Sequence, residues 1–297
     1  MSGYGDLHCA CYVLLQVADK TAARHWIGQL ADQIATGERP QKVAAVNLAV
    51  TYRGLEKLGL DKEALDGFSR PFSEGMATTH RSRILGDDDE NAPEKWNWGG
   101  NDANAVDLLL LLFAENETLL ANVRAEKKAE FAAGGVVEVQ ILEAGRQPDS
   151  HEHFGFADGM GQPAIEGTFQ AEKSFPRNII KAGELLLGYV NDYDKPADSP
   201  LVKAALDPHG RLLQPRVIDD VKVAKTNQAD LRDLGLNGTY LVFRQLAQDT
   251  VRFTHFVDQA TRGLDGQLDR KASDQLAAKF VGRWQSGAPL EIGRAHV

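Results

Sequence analysis

The segment HFGFADGMGQP (His153–Pro163) holds one acid, Asp158, among three glycines and two phenylalanines. An Asp-Gly pair is the ordinary material of a turn, and that is its blandest reading. The flanks suggest more. Phe154 and Phe156 supply an apolar wall, and Gly155, Gly159 and Gly161 carry no Cβ, so backbone there can lie close to a flat partner. An acid on an apolar surface is partly desolvated, which suits it to move a proton in either direction.

Other residues compete for a chemical role. His151 and His153 form an HxH pair that, with Asp158, makes a two-imidazole, one-carboxylate ligand set for iron or zinc. The same stretch, PDSHEH, also reads as a solvated polar loop. His255 lies in DTVRFTHFVDQ between Phe253 and Phe256, where it suits either a haem ligand or a packed helix side chain. Trp96, Trp98 and Trp284 read as packing residues. No P-loop, GxSxG or dinucleotide GxGxxG occurs in a strand–turn–helix context.

These groups need elements to position them. CACYVLLQV (Cys9–Val17) is a strand by its β-branched and aromatic content, and Asp19 after it suits a helix N-cap. Trp26, Ile27, Leu30 and Ile34 then recur at helical spacing. A strand at Lys42–Tyr52, a short helix at Arg53–Leu60, a loop at Gly86–Asp102, a strand at Ala105–Phe113, a helix at Asn116–Ala132 and a strand at Val136–Ala144 follow. That order suits an α+β, ferredoxin-like sandwich. After Gly145 a loop leads to predicted strands ELLLGYV (Glu184–Val190) and GTYLVFRQL (Gly238–Leu246), then two helices within QDTVRFTHFVDQAT and ASDQLAAKFVGRW. The second half thus begins to repeat the first and stops, giving a domain at residues 1–150, the start of a second at 151–290 and a tail at 291–297.

Composition narrows the function. A length of 297 residues favours two domains or one large one. The hydrophobic fraction of 43% with 25% charged residues is that of an ordinary globular protein. A net charge of −9 without a basic run disfavours nucleic acid. The longest apolar run, AVDLLLLLFA (Ala105–Ala114), is too short to cross a bilayer. The N-terminal sequence lacks the features of a signal peptide, and Cys9 and Cys11, set too close to bridge each other, suit a reducing cytoplasm. A CxC metal site lacks further cysteines to complete it.

HFGFADGMGQP resembles the signature of the dye-decolourising peroxidases, haem enzymes whose distal acid is the Asp of a GxxDG motif. Further blocks follow in that family's order: SGYGDLHCACYVLLQVADKTAARHWIGQLADQIATG, FSEGMATTHRSRILGDDDENAPEKW, GELLLGYVNDY, LGLNGTYLVFRQLAQDT and AAKFVGRWQSGAPL. The resemblance runs to Leu290 and is nearest the larger, non-secreted subclass. It implies two ferredoxin-like domains of the dimeric α+β barrel type, the second incomplete here. It implies haem b, with Asp158 as distal acid–base and with Gly155, Phe156, Gly159 and Gln162 along the haem's distal side. Hydrogen peroxide would be the oxidant and small organic molecules, dyes and phenolics, the reductants. An ordinary Asp titrates near ~4 and a His near ~6.5, so a distal Asp still works as a base in mild acid.

The family's proximal histidine and distal arginine lie in segments resembling AHIR and RRGxPYG, beyond the GRWQSGAPL block. Here only EIGRAHV follows, and His296 comes too soon after that block to be the ligand. The expectation is therefore a chain cut short, whose tail back-translates to a string like a sequencing-library adapter. The alternatives are a non-catalytic fragment lacking the proximal His and distal Arg, and a metal enzyme built on His151, His153 and Asp158. An incomplete second domain would also expose apolar surface and invite self-association.

Overall fold

The computed structural model describes residues 4–36, 43–145, 147, 149–159, 161–215, 228–263 and 265–290. The predicted tail, with His296, lies outside the described residues. The chain divides into two compact units. The first takes everything up to Gly145 together with Pro163–Leu241; the second takes the intervening loop to Gln162 and the chain after Leu241. The boundary expected after residue 150 falls inside the loop that opens the second unit.

The first unit is built on β1 (Cys9–Val17), α1 (Lys20–Leu30), β2 (Ala44–Val50), β3 (Leu108–Ala114), α6 (Glu117–Phe131) and β4 (Val136–Gly145). Between β2 and β3 come α2 (Tyr52–Leu58), α3 (Lys62–Leu65), α4 (Arg70–Glu74) and α5 (Thr79–Leu85). The sheet order is β2-β3-β1-β4, antiparallel throughout, which is the ferredoxin-like arrangement expected from sequence. β1 pairs with β3 from Cys9↔Ala114 to Leu15↔Leu108, and with β4 across a register shift at Leu14/Leu15. β1 has a strand on either edge, and buried side chains fall on both its faces, Ala10 and Leu14 on one and Cys11, Val13 and Leu15 on the other, which is why it reads as a near-continuous apolar run.

Side chains alternate across a strand, so Cys11, Val13, Leu15 and Val17 of β1 share one face. With Leu108, Leu110 and Leu112 of β3 they pack against Ala23, Trp26 and Leu30 of α1 and Leu120 and Phe131 of α6. Each large side chain fully withdrawn from water here contributes about 1.5–3 kcal/mol before entropy is subtracted. Asp19 caps α1, its side chain accepting from the Ala22 N–H at 2.8 Å, and Asn116 caps α6 in the same way from Leu119 at 3.0 Å. Trp26 meets Phe131 edge to face, with ring centroids 6.0 Å apart.

Two buried charges interrupt this apolar core. The Asp107 carboxylate, at the start of β3, accepts from Lys57 Nζ at 2.7 Å and from the Val17 N–H at 2.8 Å. Lys127, on α6, donates to Gln33 and Glu130 at 2.5 and 2.8 Å. Burial pulls the Lys127 ammonium down, but its hydrogen bonds to Glu130 and Glu126 outweigh that and leave it above the ordinary lysine value.

The remainder of the first unit departs from two sequence expectations. Glu184–Val190 is not a strand. A short 3-10 turn at Ala182–Glu184 leads into a closed loop in which the Gly183 N–H donates to the Val190 carbonyl at 2.9 Å. Gly183 lies so near that loop that a Cβ would stand 2.3 Å from the Val190 carbonyl carbon, and Gly188 turns the chain with φ +81°. Gly238–Leu246 carries no strand either, and Leu241, Val242 and Leu246 are exposed. A strand exists only through a neighbour's ladder, and residue preference alone does not supply one. Instead the unit has two short pairs, β5 (Ala164–Ile165) with β6 (Ile179–Ile180) and β7 (Leu201–Lys203) with β8 (Leu231–Asp233), and a turn of helix, α7 (Phe169–Glu172).

The second unit contains α8 (Thr250–Ala260) and α9 (Arg270–Val281), both read from sequence, and no multi-stranded sheet among the described residues. No helix among the described residues is long and apolar enough to cross a membrane.

Two glycines test the packing of the first unit with opposite signs. Gly28 sits exposed in α1 with nothing near its missing Cβ, so Gly28→Ala is expected to raise stability by about 0.5–1 kcal/mol. Gly54, in α2, would put a Cβ 2.1 Å from the Asp107 carbonyl oxygen, so Gly54→Ala is expected to cost roughly 1–3 kcal/mol. Urea unfolding midpoints report both. Cys11 gives a second check, because its thiol is pushed up to about 11 by burial and then by Glu143. At pH 8 iodoacetamide should modify Cys11 about 100-fold or more slowly in the folded chain than in the unfolded one, on thiolate fraction alone. Equal rates would show the strand is open.

Candidate functional site

The site lies within the second unit and is assembled on two helices. Asp249 caps α8, accepting from Arg252 at 2.8 Å, and Asp269 caps α9, accepting from Ala272 at 3.0 Å. Between the helices, Ser273 Oγ donates to Asp258 Oδ1 at 2.7 Å. Phe156, only 3% exposed, packs with Val257 of α8 and Ala277 of α9. Phe154 meets Phe253 edge to face at 5.1 Å, and Phe253 meets Phe280 at 6.1 Å. The two phenylalanines of the sequence motif are therefore the loop's attachment to the helices, and Phe253 and Phe280 extend the aromatic wall.

The loop itself is a closed hairpin. His151 and Ala157 face each other as an antiparallel bridge, the Glu152 N–H donates to the Phe156 carbonyl at 2.9 Å, and the Gly155 N–H to the Glu152 carbonyl at 2.9 Å. The Glu152 carboxylate accepts from the Phe154 N–H at 2.9 Å and from the Phe156 N–H at 2.8 Å. Beyond the hairpin, the Ala157 N–H donates to the Gln285 carbonyl at 2.9 Å and the Asp158 N–H to the Ser150 carbonyl at 3.1 Å. Asp158 Oδ1 accepts from the Gly159 N–H at 2.6 Å. Gly155 and Gly159 sit at φ +87° and +76°, where side chains are rarely tolerated, and nothing occupies the space beside Gly159.

Beside this loop is a cavity of about 510 Å³. Phe154, Phe156, Phe253, Phe280 and Val281 give it an apolar wall, Gly159 and Gly161 a stretch of bare backbone, and Glu152, Asp158, Gln162 and Arg283 its polar groups. Arg283 Nη1 donates to the Gly287 carbonyl at 2.8 Å, and its guanidinium approaches within 3.2 Å of where a Cβ on Gly161 would stand. An apolar concavity with a few converging polar groups is the usual form of a small-molecule or cofactor site.

Of the motif residues singled out in the sequence, Phe154, Phe156, Asp158, Gly159, Gly161 and Gln162 line this cavity. Gly155 instead lines a neighbouring, more polar depression with Gln147, Asp149, His151, Glu152 and His153. Asp158 is exposed, so the chain's own described residues do not desolvate it as its apolar flanks suggest. The metal set of His151, His153 and Asp158 is not formed: no group of three or more metal-ligating side chains occurs among the described residues. The hydrogen bonds of the two imidazoles show why. His151 Nδ1 turns to the Asp149 carbonyl at 2.9 Å and His153 Nδ1 to Gln147 Nε2 at 3.1 Å, so both rings face away into the polar depression. His255, exposed on α8, does not line the cavity.

Sequence reasoning missed Glu152, Arg283, Phe280 and Val281. Glu152 was hidden in a stretch that looks solvated. The other three lie in KFVGRW, where the family resemblance was visible but the role of each residue was not.

The cavity suits one face of a flat, largely apolar ring, because its walls are aromatic and its backbone is bare where such a ring would lie. Among the described residues the lining holds carboxylates, an amide and a guanidinium beside the aromatic wall and no imidazole, a donor set that fits the face of such a ring.

No family model matches the chain. Its sequence is 28% identical over 261 residues to the dye-decolorizing peroxidase msp1 of Mycetinis scorodonius, covering 85% of this chain and 42% of that protein. It is 30% identical over 258 residues to a dye-decolorizing peroxidase of Mycena epipterygia, covering 84% and 40%. The chain thus spans about two fifths of the length of these curated relatives. Its structure overlays an ancestral D-type dye-decolorizing peroxidase with a TM-score of 0.71 at 25% identity, covering 98% of this chain and 59% of that one. A dye-decolorizing peroxidase in complex with 2,6-dimethoxyphenol overlays with a TM-score of 0.68 at 21% identity, a likeness of fold. These sequence relatives and solved structures are all dye-decolourising peroxidases, and that is the family the comparisons support for this chain.

Proposed function

We propose that the second unit supplies the distal face of a haem peroxidase site, with Asp158 as its acid–base group. The substrates on this reading are hydrogen peroxide and small organic reductants such as dyes and phenolics. The observation that carries it is the position of Asp158 on the edge of a cavity walled by four phenylalanines and lined with bare glycine backbone. The names of the sequence relatives support the peroxidase reading.

Haem, if bound, would supply an iron that takes up peroxide and relays to the organic substrate the oxidising equivalents that peroxide brings. Phe154, Phe156, Phe253 and Phe280 would hold its ring by apolar contact and exclude water from that face. Gly159 and Gly161 would let it approach the backbone. Gln162 and Arg283 offer polar contacts at the margin, and the cation would suit an anionic substituent of the ring. The Asp158 carboxylate accepts the proton of one peroxide oxygen and delivers it to the other, so that the second leaves as water. One group acting in both senses is general acid–base catalysis, typically worth about 10²–10⁴ in rate. The Gly159 N–H donates to Oδ1 of that carboxylate, and the Asp158 N–H donates to the Ser150 carbonyl, so one bond orients the side chain and the other fixes the backbone that carries it. Free Cys9 and Cys11, the latter buried, suit a reducing compartment, and we keep the cytoplasm as the proposed location.

A second reading is a chain that holds the distal face without turnover of its own. It is favoured by the lack of an imidazole among the described residues that line the cavity. Titrating the purified chain with haemin separates the two. Peroxide-dependent oxidation of a phenol with a sharp, histidine-type Soret band supports a self-sufficient enzyme, whereas weak, broad haemin binding without turnover supports the second reading. In the haem-loaded enzyme, Asp158→Asn is expected to keep haem affinity within about twofold and to lose about 10²–10⁴ of the rate. An undiminished rate in stopped-flow spectra would remove Asp158 from the mechanism.

A further inference from the structure

We infer that Glu152 is the positioning residue of the Asp158 loop, holding the acid in place as an anionic clamp. The inference rests on the reading of Asp158 as the acid–base group. Both oxygens of the Glu152 carboxylate are occupied by the hairpin's own backbone. Oε2 accepts from the Phe154 N–H at 2.9 Å and Oε1 from the Phe156 N–H at 2.8 Å. Its main chain closes the same ring, with the N–H on the Phe156 carbonyl and the carbonyl on the Gly155 N–H, both at 2.9 Å. One residue therefore makes four hydrogen bonds within a five-residue span.

The purpose follows from what that span must do. Phe154 and Phe156 have to reach the α8–α9 aromatic cluster while Gly155 between them takes φ +87°. Such a turn points the Phe154 and Phe156 amides inward, away from any ladder partner, and unpaired inward amides are costly. A carboxylate reaching two and four residues ahead satisfies both at once, and bonds to an ionised acceptor are the stronger kind. The chain leaves this clamp at Phe156, and Asp158 is only two residues further on. Its remaining main-chain anchors are the Gln285 carbonyl on Ala157 and the Ser150 carbonyl on its own N–H.

Although Glu152 also borders the cavity, it is poorly suited to carry protons there. Protonation would turn one acceptor oxygen into a donor facing an N–H and break the clamp. Glu152 and Asp158 thus hold different roles: one carboxylate shapes the loop by accepting from its amides, the other exchanges protons.

Amide exchange and proton shifts in the haem-free chain test the clamp without reference to activity. On acidification, the Phe154 and Phe156 amide resonances should move together through one transition, and that shared transition should be absent in Glu152→Gln. Glu152→Ala should speed exchange at these two amides by ~10-fold or more while the β1 amides keep their protection. If the alanine variant opens the whole second unit, seen as loss of protection at Val257 and Ala277, the titration of the native chain and of Glu152→Gln decides. Separate transitions, or unchanged exchange in a folded Glu152→Ala, overturn the clamp. In the haem-loaded enzyme, Glu152→Gln should lower kcat at unchanged KM and add no further loss in an Asp158→Asn background. Additive losses would mean that Glu152 does not act through Asp158. Should Asp158→Asn itself cost nothing, the peroxidase role of Asp158 fails while the exchange measurements still judge the clamp.

Discussion

The candidate site depends on the burial of Phe156. That ring is inserted where α8 and α9 meet, against Val257 and Ala277, and it is the best-buried side chain of the loop that carries Asp158. Because the ring is fixed, the backbone on either side of it is fixed too. Phe154 is drawn to Phe253, Gly155 must turn with positive φ, and Glu152 must satisfy the amides that the turn strands. Asp158 then emerges at the cavity edge as a consequence of apolar packing two residues away. Truncating a buried phenylalanine typically costs about 3–5 kcal/mol, a large share of what a small unit has.

The two units illustrate different degrees of legibility. In the first, every strand of the four-stranded sheet was visible because β-branched and leucine-rich runs were bounded by caps with a clear chemistry, Asp19 and Asn116. What was hidden there was polar. Asp107 stands inside AVDLLLLLFA and looks like an accident in an apolar strand, yet it is fully buried and bonded to Lys57 and the Val17 N–H. Lys127 looks like one of several helix lysines and is instead 2% exposed. Pairing across 50 residues or more of sequence is not written in any local pattern.

After Gly145 local preference misled in a particular way. ELLLGYV has the composition of a strand, but Gly183 and Gly188 close it into a loop through contacts that only glycine permits. In the second unit the motif residues Phe156, Asp158 and Gly159 were read from their types, and the cavity unites them with Gln162. Glu152 was not legible, since an acid between two histidines looks solvated until the turn that needs it is seen. Arg283 and Phe280 came from a helix end far along the chain, linked to the loop only by the fold.

A porphyrin face on the Phe154–Phe156–Phe253–Phe280 wall beside Asp158 is the arrangement on which the functional reading stands. Paramagnetic broadening of assigned amide resonances on addition of ferric haemin locates that face, because the effect falls steeply with distance from the iron. The amides of Phe154 to Gly159, Phe253 and Phe280 to Arg283 should broaden first, while the β1–β4 amides keep their linewidths. Broadening centred instead on His255 or on the polar depression at His151 and His153, with the Asp158 loop unaffected, would contradict it.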